Sequence, residues 1–349
     1  MKLAILAAAS VLAAGSVLGA FIMGAVRVIT YPSPVVDVRY FGAVPNDSLD
    51  DSDALQKAWA ACQHGDTLYL PPGTYCVSKP LVWTNSYTKT VDVSARHAVL
   101  QWQGTVGGTV LTYGGTGAPP VQNARFDGLT ILHNRSSATY WDLDLTALAI
   151  QNLSDSEINL QWIDGFRRGV LFRGDDRGLT YSTIHFGVKS CKHSLSVEAG
   201  TPGWSNALVF DRCRFAGAGS VSPTNPPPYD SAVFIDIPPG LKHGGGNWAF
   251  RSCWWETNYA PYVSFNLNSC GTWRFDQCHF ESRSQNPAGP HKMPFKVSKE
   301  CGPIHIVGGV QNSLEIQAAN TETVQILSNV GTVSHGTEPL RFRGKVTTK

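Results

Sequence analysis

The sequence predicts an all-β solenoid, a single domain of short parallel strands wound coil on coil and closed at its N-terminal end by a helix-and-strand cap. Three observations carry this. A short unit, an aromatic, two residues, a small or aliphatic residue, one residue and then a bulky apolar one, recurs as FDGLTI from Phe126, YSTIHF from Tyr181, FDRCRF from Phe210, FRSCWW from Phe250 and FDQCHF from Phe275. Successive starts lie 55, 29, 40 and 25 residues apart, which a coil of about 25 residues with one missed copy and one insertion accounts for. Glycine (34) and proline (21) are plentiful while charged residues make up only 15% of the chain, a balance that suits many turns between short, largely buried strands. Finally, one amphipathic helical stretch runs directly into the first strands, as a solenoid's end cap would.

Taken in order, the chain opens with Met1-Lys2 and then carries no charge from Leu3 to Val26, where Arg27 ends the run. Residues 1–26 therefore read as a secretory signal or, since residues 3–26 are long enough to span a bilayer, as a membrane anchor. Either reading places the rest outside the cytoplasm, after a linker at 27–36. Residues 37–82 form the cap and the first strands. Asp50, Asp51, Ser52 and Asp53 supply N-cap candidates, and Leu55, Ala58, Trp59 and Cys62 make one apolar stripe at helical spacing. Gly65-Asp66 ends the helix, TLYL and TYCV are strands, and Pro72-Gly73 suits the centre of a type II turn between them. From 83 to 349 the coils continue. EINLQW at Glu157–Trp162 adds a strand, the missed copy is expected near Ile150, and GPIHIVGG and ETVQIL extend the pattern. Residues 216–230 hold a loop too rich in proline for a strand, and RFRGKVTTK is a short basic tail.

Asp37, Phe41-Gly42, Asp50-Asp51 and Pro71-Pro72-Gly73-Thr74-Tyr75 together resemble the opening of the pectate-lyase-like right-handed parallel β-helix proteins, in the branch of rhamnogalacturonase-type enzymes and phage tail spikes. The resemblance spans the cap. It implies a right-handed parallel β-helix and a polysaccharide as partner, and it leaves activity open, because one fold serves many chemistries.

Outward positions of the recurring unit carry the candidate chemistry, since neighbours along a strand alternate faces. Stacking the copies gives one outward column of Thr130, His185, Arg214, Trp254 and His279, and a second of Gly187, Ala216, Glu256 and Glu281. Cys213, Cys253 and Cys278 fall inward and read as buried free thiols, whereas Cys62 and Cys76, flanking the first strands, are the pair expected to form a disulfide. Glu256 and Glu281 should stand about 5 Å apart, the separation of acid and nucleophile in a retaining glycosidase. His279 is then a proton-transfer candidate, with Trp254, Arg214, Arg251 and Arg283 as substrate-binding residues. The alternative is an ordinary solvated face whose like charges are relieved by Arg251 or Arg283. A second catalytic set is Asp155 with Asp175 and Asp176 of FRGDDRG, which is similar to the Gly-Asp-Asp of the polygalacturonase branch. That branch's Asn-Thr-Asp, Gly-His-Gly and Arg-x-Lys are absent, and turn chemistry alone also explains the glycine-flanked segment.

A net charge of +2 with no basic run beyond the tail does not favour nucleic acid. No zinc spacing, phosphate loop, dinucleotide fingerprint or Gly-x-Ser-x-Gly elbow is present. The sequence thus points to an exported glycoside hydrolase acting on an acidic polysaccharide without metal or cofactor. Alternatives are a lyase, which would place calcium on Asp175, Asp176 and Glu198 with Lys189 as base, and a non-catalytic carbohydrate-binding or structural β-helix of adhesin or spike type.

Overall fold

The computed structural model describes residues 35–115, 120–134, 143–173, 178–198, 205–216, 232–239, 246–257, 263–282, 293–309, 314–318, 324–327 and 341–343. The leader at 1–26, nearly all of the 216–230 insertion and the end of the basic tail lie outside them. Among the described residues no helix is long and apolar enough to cross a membrane.

The chain is a right-handed parallel β-helix, with sheets of sixteen, ten and four strands among the described residues. The sixteen-stranded sheet bends at a corner, so each coil presents a first face, a second face and, on the ten-stranded sheet, a third. In one coil Leu208–Asp211 lies on the first face, Arg214–Ala216 on the second and Ala232–Ile237 on the third, before Trp248–Arg251 opens the next. The missed copy is the strand Glu157–Asp164, whose Ile158 pairs with Phe126 and Ile184. Ile150 belongs instead to the third face, in Leu145–Gln151.

The repeated unit has a physical explanation at the corner. Its third residue turns the chain through a left-handed conformation, at Gly128 (φ 92), Arg212 (φ 50), Ser252 (φ 50) and Gln277 (φ 51). The next residue, Leu129 at the first of these corners and a cysteine at the other three, fills the inside of the bend. At Cys213, Cys253 and Cys278 the thiol donates to a main-chain carbonyl of the preceding coil, at 3.4, 3.3 and 3.4 Å. The two large positions stack into columns. Phe210, Phe250 and Phe275 lie face to face at 4.5 and 4.7 Å, and Phe215, Trp255 and Phe280 at 5.2 and 4.8 Å. Each stacked pair adds about 0.5–1.5 kcal/mol beyond the area it buries.

At the cap, the helix α1 (Ser52–Ala61) buries Leu55, Ala58 and Trp59, with Trp59 stacked on Trp83 at 5.7 Å. Asp51 stands at the N-cap, its side chain making no bond to its own helix. Its carboxylate accepts instead from the Val44 and Cys76 amides, at 2.9 and 3.1 Å, and so ties the helix start to the first coil. The Pro-Pro-Gly-x-Tyr motif closes on itself, because the buried Tyr75 hydroxyl donates to the Pro71 carbonyl at 3.0 Å. Gly73 begins the strand Gly73–Val77 at φ 140 rather than sitting in a type II turn. A Cβ there would lie 2.6 Å from that of Pro45.

Two further expectations are corrected. Val35 and Val36 of the supposed linker already belong to a strand, paired with Thr67 and Leu68. All eight cysteines are buried and unbridged, so Cys62 and Cys76 form no disulfide. Cys62 turns back to the helix carbonyl of Ala58 and Cys76 accepts from Gln103, each thiol being engaged away from the other.

Candidate functional site

The second face holds most of the residues that the sequence singles out. Arg214, Trp254 and His279 are in register on adjacent coils, as are Ala216, Glu256 and Glu281. The columns differ from expectation one coil earlier. Ile184, not Tyr181, pairs with Phe210, and the coil is one residue shorter at the corner. Gly187 and Trp162 therefore continue the Arg214 column, and Lys189 and Asp164 the glutamate column, while His185 lies on the first face. Trp162 lies flat over Gly187, where a Cβ would come within 2.6 Å of its ring.

Each glutamate has its own basic partner. Glu256, only 6% exposed, accepts from Arg214 at 3.1 Å, and Glu281 sits 3.0 Å from His279 Nε2. The relief comes from these two residues and not from Arg251, which is exposed on the first face in register with Asp211 and Asp276. Trp254 is flanked by His279, with ring centroids 4.1 Å apart, and by the Arg214 guanidinium at 6.0 Å. Those neighbours lie where a sugar would otherwise stack. Arg283, Asp175 and Asp176 lie outside the described residues. Asp155 is exposed in a left-handed turn entering the first face, bonded to Ser154.

A concave site lies elsewhere, on the third face, and sequence reasoning did not single it out. A cavity of about 390 Å³ runs over this sheet, lined among others by Arg167, Arg168, Arg173, His193, Glu198 and Asp236. Parallel register builds it. Thr146, Arg168 and His193 follow one another on successive coils, and Ser196 pairs with Asp236. His193 Nδ1 is 3.1 Å from Asp236, and Asn266 donates to the same carboxylate at 2.8 Å. Burial works to raise the Asp236 pKa, but the His193 and Asn266 contacts outweigh it and hold the group below the ordinary carboxylate range. Glu198 is two residues beyond Ser196 on the neighbouring coil. From the interstrand step and the strand rise, its Cα stands about 8 Å from that of Asp236.

The cations of the groove are partly engaged. Arg168 pairs with Asp144, and Arg173 Nε lies 3.3 Å from Glu198. Arg167 Nε lies 3.8 Å from Asp144, and among the described residues Arg167 Nε, Arg173 Nε, His193 Nδ1 and Ser196 Oγ are buried beside the cavity without a well-aligned hydrogen bond. Lys189 pairs with Asp164 on the second face, at 3.2 Å, so it does not converge with Glu198. Among the described residues no three acidic, histidine or cysteine side chains are grouped as a metal would need. The groove had one signal in the sequence: Arg168 and Arg173, then His193 and Glu198, recur at equal spacing on consecutive coils.

The fold is that of a parallel β-helix, and the cap of the chain resembles the pectate-lyase-like proteins of that fold. Residues 35–116 match the family described as rhamnogalacturonase A/epimerase, pectate lyase-like. The chain is similar to probable rhamnogalacturonase A of Aspergillus niger, at 44% identity over 41 residues, 12% of this chain and 9% of that protein. Among solved structures it is similar to the ORF18 protein of Geobacillus virus E2, with a TM-score of 0.55 and 16% identity over 93% of this chain and 61% of that one. A Streptococcus pneumoniae surface adhesin is similar with a TM-score of 0.49 and 13% identity, covering 90% of this chain and 96% of the adhesin.

Proposed function

We propose that this protein acts outside the cytoplasm and hydrolyses an acidic polysaccharide in the groove of its third face. One observation carries the reading: Asp236 is held ionised by His193 and Asn266, with Glu198 one diagonal step away. Their Cα atoms, about 8 Å apart by register, let the two carboxyl groups flank a water, as inverting hydrolysis requires with about 6.5–9.5 Å between them. Asp236 is the base that takes a proton from that water, and Glu198 is the acid that protonates the leaving oxygen. The guanidinium groups of Arg167, Arg168 and Arg173 that line the groove suit a sugar carboxylate, because guanidinium binds carboxylates directionally. His193 positions Asp236. The match of the cap to a rhamnogalacturonase-type family supports the polysaccharide, and the uncharged leader supports export. The reaction as written needs no metal, so a chelator should leave it unchanged.

A second reading keeps Glu256 and Glu281 as the catalytic pair, with His279 as proton carrier. Their register and the burial of Glu256 favour it; the position of the cavity on the third face, away from this pair, weighs against it. The test incubates purified protein with acidic and neutral polysaccharides, following reducing ends together with the absorbance of unsaturated products. Reducing ends without new absorbance, on acidic substrates first, are expected. A rise in both would make the protein a lyase, and binding with neither would make it a non-catalytic carbohydrate-binding β-helix.

A further inference from the structure

We propose that Cys270 and Cys301 are a disulfide-forming pair that staples two neighbouring coils, independently of the catalytic reading. Both precede a first-face strand by the same interval. Trp273 pairs in register with Ile304, and the ladder continues back through the turns, with Trp273 N–H donating to Pro303 and Gly302 N–H donating to Cys270. That pattern sets Cys301 directly beside Cys270. Adjacent parallel strands are about 4.8 Å apart, within the Cα separation of about 4.4–6.8 Å that a disulfide spans.

The local sequence enforces the approach. Each cysteine is followed by glycine, and a Cβ on Gly302 would lie 2.9 Å from the Gly271 carbonyl group. The two turns can stack so closely only without side chains there. The Cys301 thiol donates to the Leu267 carbonyl at 3.2 Å, and the neighbouring Cys270 holds the Cys301 thiol down at about 7 while Cys301 and burial push Cys270 up. Location separates this pair from the column at Cys213, Cys253 and Cys278. Those three are 1%, 1% and 0% exposed, whereas Cys270 and Cys301 reach 6% and 8%, beside the exposed Thr272 and Glu300. An oxidant therefore meets Cys301 first.

The chemistry balances with glutathione disulfide as oxidant. The Cys301 thiolate attacks one of its sulfurs and expels one glutathione thiolate, which takes up a proton. The Cys270 thiolate then attacks Cys301 in the mixed disulfide and expels the second. Two protein thiols become one disulfide as one glutathione disulfide becomes two glutathiones.

The test oxidises the full chain in a glutathione redox buffer, counts thiols after denaturation, and maps linkages by non-reducing peptide mass spectrometry. Free thiols should fall from the eight of the sequence to six, with one cross-linked peptide joining Cys270 to Cys301. The oxidised protein should melt roughly 5 °C above the reduced one. Cys301→Ser should abolish both the cross-link and the shift, and Cys301→Ala serves should the serine variant fold poorly. Eight thiols after oxidation, or a linkage through any other cysteine, would overturn the assignment; the wild-type map alone suffices for that.

Discussion

Replacing Asp236 with Asn tests whether the groove holds a fixed negative charge. In the wild type this carboxylate contacts His193 at 3.1 Å and accepts from Asn266 at 2.8 Å. A hydrogen bond to a charged group is worth about 1.5–3 kcal/mol. The Asp236 side chain is 26% exposed, so solvent screening trims the expected loss to about 1–2 kcal/mol at neutral pH. The pH dependence follows from the depressed pKa in the folded protein. An unfolded aspartate titrates at about 3.9. Above that value the carboxylate is ionised in both states, and its stabilisation is fully present. As pH falls below it, the unfolded chain gains a proton that folded Asp236 still refuses, and the stabilisation is lost by the time the folded group titrates. The neutral amide of the D236N variant has no such dependence. Urea midpoints at pH 7, 5 and 3.5 should therefore show wild type and D236N converging as the pH falls. A gap that stays constant, or widens toward acid, would refute a charge held ionised by these contacts.

Two predictions concern the frame. Phe250→Ala removes a ring that is fully buried between Phe210 and Phe275. It should cost about 3–5 kcal/mol in urea unfolding, and a loss under about 1 kcal/mol would mean that the column is not packed as described. Gly73→Ala places a Cβ 2.6 Å from that of Pro45 at a φ of 140. It should lower the melting temperature by several degrees, roughly 1–3 kcal/mol of stability, and an unchanged melting curve would contradict the approach of that turn to the cap.

The fold was legible because its rules repeat. The recurring unit combines a buried ring, a left-handed corner and a slim inward residue, and Phe210, Phe250 and Phe275 meet all three demands at the same spacing. Register failed where the repeat varies. Tyr181 mimics the opening aromatic, but its coil is one residue shorter at the corner, so Ile184 takes the core position and Tyr181 is left 62% exposed. The pairing of Glu256 with Glu281 could be read because the corner from first to second face has equal length in those two coils. Their cations could not, because Arg214 reaches Glu256 across one coil and along the strand. The third-face groove stayed hidden for another reason. Its strands RGVLFR, HSLSV and AVFIDI share no motif, and its charges stand at strand ends, where a local pattern does not distinguish a groove from a solvated edge.

The central claim is that acidic polysaccharide is cleaved by carboxylates on the third face. It is tested most directly by comparing kcat/KM of Asp236→Asn, Glu198→Gln and Glu256→Gln on the best acidic substrate, each variant first shown to be folded by its melting curve. Loss of a base or an acid typically removes about 10²–10⁴ of the rate. The expected result is such a loss for the first two variants and activity within about fivefold of wild type for the third. Full activity in Asp236→Asn and Glu198→Gln beside an inactive Glu256→Gln would contradict the account and move the chemistry to the second face.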